Sequence, residues 1–282
     1  MEELHPFEQC RQYPPLPGSC GSSSLELQVH ETIRIGDHHN SQVVLVEVLT
    51  ANSIKGLSPG QYAVAKLYDP MYIDDDGFYI NPFLAADKLY THETATYMAL
   101  SDLQGSVIPQ YYGSYSLDIP IPLESTEDKR SVRLIIIELI PGSSMQNTDP
   151  NQFSQETRQN IMEFLIEFES LVYSRNILLR DLHPRNVMVT TDGHAVVIDL
   201  EMLAVAGEHS LHKVCSTHLN YTLTIMSHHL CGGMKTRISK MISMTGLTGT
   251  GNLGSKQSLQ ARQSQSPQGC WNFTCLHVFA RM

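Results

Sequence analysis

From Leu25 onward, runs of alternating apolar and polar residues follow one another: LELQVHETIRIG, then QVVLVEVL, then QYAVAKLYD. A period of two sends successive side chains to opposite faces, so each run is a strand that needs a core on one side. The short polar spacers between them predict antiparallel neighbours. Two further runs, GSYSLDI and SVRLIIIELI, read the same way, separated by a charged loop through Glu127, Asp128, Lys129 and Arg130. Between the third and fourth runs, Leu89, Glu93, Tyr97 and Leu100 recur at helical spacing. Glu93 therefore shares the apolar face, which points a carboxylate inward. Five strands with one inserted helix predict an α+β lobe.

With 282 residues, 41% of them hydrophobic, the chain can build one large domain or two small lobes. A formal charge of -10 argues against nucleic acid and anionic membranes as partners, since both need basic surface to meet phosphate. The acidic start, MEELHPFEQC, is not a secretory signal, and apolar stretches such as Leu134 to Ile137 are too short to span a bilayer. Six scattered cysteines read as reduced thiols, so the expectation is a cytoplasmic protein without a membrane partner. Residues 1–24, with Pro14, Pro15, Pro17 and a Gly/Ser run, read as a disordered leader.

The second half opens with a helix over Ser154 to about Tyr173, where Ile161, Leu165, Phe168 and Val172 form one stripe and Ser154 suits the N-cap. Next come NVMVTT and HAVVID, joined by Asp192-Gly193, which reads as a hairpin. That hairpin brings Asn186 and Asp199 to one end of a small ribbon. Beyond Asp199 the pattern decays. Residues 246–269 are rich in Gly, Ser, Thr and Gln, so 207–282 reads as a loosely structured tail.

Several polar residues stand where polar residues are costly. Lys66 ends the strand run AVAK and needs an anion, which Glu93 or a phosphate can supply. In LRDLHPRN, Asp181 and Asn186 are held five positions apart on a constrained loop, which suits positioning of a hydroxyl and binding of a metal. Asp199 follows the buried run VVI, and a carboxylate there suits a hard cation.

In this order, over residues 25 to 201, the chain resembles the protein-kinase-like superfamily, in the form seen in uncharacterised fungal kinase-domain proteins. The resemblance implies a bilobal fold. A five-stranded antiparallel N-lobe with its hinge would span 25–140 and a partial helical C-lobe 141–206. It also implies an ATP- and Mg²⁺-dependent phosphotransferase acting on a protein or small-molecule alcohol. By the same resemblance, Lys66 holds the α/β-phosphates, Glu93 pairs with it and Asp181 orients the acceptor. Asn186 and Asp199 hold Mg²⁺. IELIPG is the hinge, with the Glu138 carbonyl and Ile140 amide facing adenine between Val44 and Val64.

The chain also departs from that pattern. The turn IGDHHNS has one glycine, Leu179 stands in place of a histidine, and His183 is closer to small-molecule kinases of the aminoglycoside and choline type. Asp199-Leu200-Glu201 places an acid where a glycine is usual, and the distal C-lobe reads as truncated or replaced. A pseudokinase or inactive fragment that binds a nucleotide or a partner is therefore the alternative. Plainer readings also stand: an ion pair for Lys66 with Glu93, and loop capping for Asp181 with Asn186. Asp74, Asp75 and Asp76 read as a solvated loop and GTGNLG as a linker, with His209, His212, Cys215 and His218 a weak zinc pattern.

Overall fold

The computed structural model of the chain describes residues 6–16, 20–37, 39–73, 81–121, 129–179, 181–201 and 276–281. The alternating runs form β1 (Cys20–Arg34), β2 (Gln42–Asn52) and β3 (Tyr62–Tyr68). After helix α2 (Pro82–Ala99) come β4 (Tyr111–Pro120) and β5 (Lys129–Glu138). These strands make a curled antiparallel sheet in the order β1-β2-β3-β5-β4, closed by β9 (Leu276–Arg281) between β4 and β1.

The period of two divides the strand side chains between two cores. Leu25, Leu27, Val44, Val46, Ala63, Ala65, Leu134 and Ile136 fill the inside of the curl. Tyr68, Ile135 and Ile137 face outward onto a second core with α2, α3 (Gln155–Ser174) and the small ribbon β6 (Ser143–Ser144), β7 (Val187–Val189) and β8 (Ala195–Val197). Lys66, opposite Ile135 across the β3–β5 pairing, lies on this outer face.

Helix α2 starts at Asn81, whose side chain accepts from the backbone N–H of Phe83 at 2.9 Å and of Leu84 at 3.3 Å. Pro82 occupies the first turn, where its missing N–H costs nothing. Helix α3 is capped by Ser154, which accepts from the Thr157 N–H at 3.0 Å, and it buries Ile161, Leu165, Phe168 and Val172. That stripe is the one the spacing predicts. It holds the helix by core packing, each large apolar side chain contributing ~1.5–3 kcal/mol when buried. Gly142 leads into β6 where a Cβ would sit 2.4 Å from the Val189 carbonyl oxygen, so β6 and β7 close up only around a glycine.

Three features differ from the reading of the sequence. Residues 6–12 form a short helix α1 (Pro6–Gln12), and β1 begins at Cys20 rather than Leu25. The segment after α1 docks on α2: the Tyr13 and Phe83 rings lie 5.4 Å apart, and the Leu16 N–H donates to Asp87 at 3.2 Å. The end of the tail is a sheet strand, β9. The acidic run Asp74–Asp76, the His209 to His218 pattern, GTGNLG and residues 202–275 of the tail lie outside the described residues. Among the described residues, no helix is long and apolar enough to cross a membrane.

Candidate functional site

Strand β3 carries Lys66 only 4% exposed, and the inward face of α2 brings Glu93 to it, 2% exposed. The Lys66 Nζ donates to Glu93 Oε1 and Oε2, each at 2.6 Å, and to Asp199 Oδ1 at 2.9 Å. Two residues further along β3, the Tyr68 hydroxyl donates to Glu93 Oε2 at 2.6 Å. One ammonium thus faces two carboxylates. Burial opposes its charge, but Asp199 and Glu93 outweigh that and raise the Lys66 pKa. The two acids separate. Burial pushes Glu93 up, against the pull of Lys66 and with the added repulsion of Asp199. At Asp199 burial also pushes upward, but Lys66, helped by Arg34 and Arg185, prevails and holds its pKa below the usual value. Burial first, and then the Glu93 charge, push the Tyr68 hydroxyl well above its ordinary pKa, so it remains a donor.

Asp199 follows β8 with φ of 61°, in the left-handed region that non-glycine residues seldom enter. Its approach is fixed by two main-chain bonds, Val197 N–H to the Val107 carbonyl at 3.0 Å and Ile198 N–H to the Asn186 carbonyl at 2.8 Å. Backbone held this firmly can carry a strain of about 1–3 kcal/mol, a cost often met at functional positions.

The loop carrying Asp181 is built around a single 3₁₀ turn, Pro184–Asn186, in which His183 Nδ1 accepts from the Arg185 N–H at 3.3 Å. The Asn186 amide, 4% exposed, donates from Nδ2 to the Asp181 carbonyl at 2.8 Å and to Asp181 Oδ2 at 2.9 Å. Arg185 also donates to Asp181 Oδ2, on the more exposed side. Asp181 and Asn186 are therefore one hydrogen-bonded unit.

Between the sheet and this loop lies a cleft of about 450 Å³, within the size range of small-molecule sites. Of the residues read from the sequence, Val64, Lys66, Glu138, Ile140, Asn186 and Asp199 line it. Glu93 stands behind Lys66, and Asp181 behind Asn186. Val44 is a correction: it points into the core inside the sheet, and Val43 lines the cleft instead. A one-residue offset on a strand exchanges the faces completely. At the end of β5, the Glu138 carboxylate accepts from the Gln110 N–H at 2.9 Å, just before the chain passes into Leu139 and Ile140.

Sequence reasoning also passed over Arg34, Tyr68 and Met188. Met188 lines the cleft from the ribbon, two residues after Asn186, and the period of two in NVMV is the signal that finds it. Tyr68 follows Lys66 by the same interval. Arg34, the last residue of β1, reaches the cleft across a register shift between Thr32 and Arg34, and no simple alternation finds it.

Among the described residues, no cluster of three or more His, Cys, Asp or Glu side chains is placed to hold a metal ion. Asp199 and Asn186, side by side in the cleft wall, offer one carboxylate and one amide oxygen. With Asn186 Nδ2 spent on Asp181, its Oδ1 is the atom left to coordinate. Hard oxygen donors in that small number fit Mg²⁺, which keeps waters and takes its other ligands from phosphates.

No protein-family model matches the chain. Over 127 residues, 43% of its length, the chain is 25% identical to serine/threonine-protein kinase KIPK2 of Arabidopsis thaliana. The match covers 12% of the plant protein. The similarity is weak and partial, and it ties the chain to the kinase superfamily only distantly.

Proposed function

We propose that the cleft binds ATP with Mg²⁺ and that the chain is a kinase-like phosphotransferase toward an alcohol group. The observation that carries this reading is Lys66, bonded at once to a helix carboxylate and to Asp199 in the wall of one cleft. In this reading residues 25–140 are an N-lobe with its hinge and 141–206 a partial C-lobe. Adenine lies between Val43 and Val64 on one side and Met188 on the other, against the Glu138 carbonyl and the Ile140 amide. Lys66 contacts the α/β-phosphates, with Glu93 holding its ammonium in place. Asn186 and Asp199 hold Mg²⁺, which supplies charge neutralisation at the phosphates. Asp181 orients the acceptor hydroxyl and takes its proton as the phosphoryl group moves. The acceptor is a protein or a small molecule.

Calorimetric titration tests the binding part. Lys66→Ala should lower ATP affinity by about tenfold or more, the order of one charge-assisted contact. Equal affinities would remove the phosphate role of Lys66. Asp181→Asn should keep ATP binding and lose turnover, whereas Asp199→Asn should lose the Mg²⁺-supported part of binding itself.

A second reading, a pseudokinase that binds nucleotide without transfer, is favoured by the Arg185 guanidinium on Asp181 and by Glu201 next to Asp199-Leu200. Phosphotransfer or ATP hydrolysis no faster than in Asp181→Asn would select it.

A further inference from the structure

The turn joining β1 to β2 is poorly made for wrapping phosphates with backbone amides. Its glycine, Gly36, donates its N–H to Gln42 Oε1 at 2.6 Å and accepts from Gln42 Nε2 at 2.9 Å. Gln42 is 3% exposed, so this two-way bond is locked in place. Further along the turn, Asn40 Nδ2 donates to Glu201 Oε2 at 3.1 Å and ties the turn to the segment just after Asp199. An anion arriving here meets side chains in place of glycine amides.

The cation that β1 brings to this end is Arg34. It lines the cleft with Lys66, Asn186 and Asp199. Its Nη2 donates to Ser41 Oγ at 3.2 Å, while Nη1 lies 3.7 Å from Asp199 Oδ2, too far for a hydrogen bond. The Nε is buried without a hydrogen-bond partner among the described residues. A guanidinium has five N–H donors in a planar fork, and among the described residues Ser41 is the one hydrogen-bond acceptor this fork meets. Lys66 cannot do the same work alone, because its charge already faces two carboxylates. Lys66, Glu93 and Asp199 together carry one net negative charge; Arg34 stands nearest to offset it, while Arg185, the other guanidinium lining the cleft, is bonded to Asp181.

We infer that Arg34 binds the terminal phosphates of a nucleoside triphosphate, replacing the amide contact that Gly36, locked to Gln42, does not offer. The inference rests on the nucleotide reading of the cleft. On binding, the fork turns from its long contact with Asp199 to the phosphate oxygens, and Asp199 is left to the metal.

The test is calorimetric titration of the full chain and of Arg34→Gln with ATP, AMP, adenosine and pyrophosphate, each with Mg²⁺. Arg34→Gln should weaken ATP by about tenfold or more and leave adenosine unchanged, as expected for loss of a charge-assisted bidentate contact. The adenosine arm also reports that the variant is folded. Unchanged or tighter ATP binding in Arg34→Gln would make Arg34 only a partner of Asp199 and overturn the inference. Pyrophosphate should bind far more weakly than ATP, and equal binding would overturn the nucleotide as ligand. If the wild type binds neither ATP nor adenosine, the nucleotide reading of the cleft falls first. A second measurement needs no variant: phenylglyoxal modification at Arg34, mapped by mass spectrometry, should be blocked by ATP and not by adenosine. Equal modification with and without ATP would count against the inference even if Arg34→Gln failed to fold.

Discussion

Two buried ionic groups flank the end of β3, and they are built on different plans. Asp69 and Arg130 form a fork, Nη1 to Oδ1 and Nη2 to Oδ2, both at 2.6 Å, with the side chains 0% and 6% exposed. Charges balance and the geometry is matched, so the pair offers nothing further to a ligand. Three residues earlier on the chain, Lys66 serves Glu93 and Asp199 together, beside a cleft and with one negative charge to spare. Burial alone therefore does not mark a functional ion cluster. The proposed function rests on imbalance beside open volume.

The largest expected effect is on the balanced pair. Asp69→Ala leaves the Arg130 guanidinium buried without its acceptor and should cost about 3–5 kcal/mol in urea unfolding. A loss below about 1 kcal/mol would mean the fork is not what holds this corner. The unbalanced group should respond less. Glu93→Gln keeps the shape and removes a charge that the site holds only under protest, so its cost should stay near 1 kcal/mol. The sign of its pH dependence sharpens the contrast. The Glu93 pKa is raised above 4.5 in the fold, so its favourable term is complete below that value and is lost as pH rises through the folded pKa. Glu93→Gln should therefore gain on the wild type between acid and neutral pH, and a gap that widens instead would reverse the assignment. The smallest effect belongs to the exposed Arg175–Asp102 pair. Arg175→Ala should leave the unfolding curve unmoved, since water screens both partners.

How much of this was legible follows from the range of each signal. The stripe of α3, its Ser154 cap and the inward Glu93 of α2 are local, and periodicity fixes them. Lys66 is legible because a charge inside AVAK must find a partner. Val44 is not, because AVAK and QVVLV each fix an alternation but not which of two adjacent valines faces the cleft. That choice depends on the pairing of Val43 with Lys66 across β2 and β3. The place of β9 depends on residues more than two hundred positions away in β1 and more than 150 away in β4, and LHVFAR carries only a faint alternation. The place of Arg34 depends on a register shift, which no single-strand pattern records.

The left-handed backbone at Asp199 also determines what a randomised library at that position would return. Glycine and asparagine accept φ near 61° readily, while β-branched residues do not. Clones sorted for foldedness, by protease survival on a display surface, should thus be enriched in Gly, Asn and Asp. Clones sorted for capture on an immobilised nucleotide with Mg²⁺ should narrow to Asp. The distance between those two amino-acid profiles measures how far selection at one codon answers to the chain's geometry and how far to its ligand.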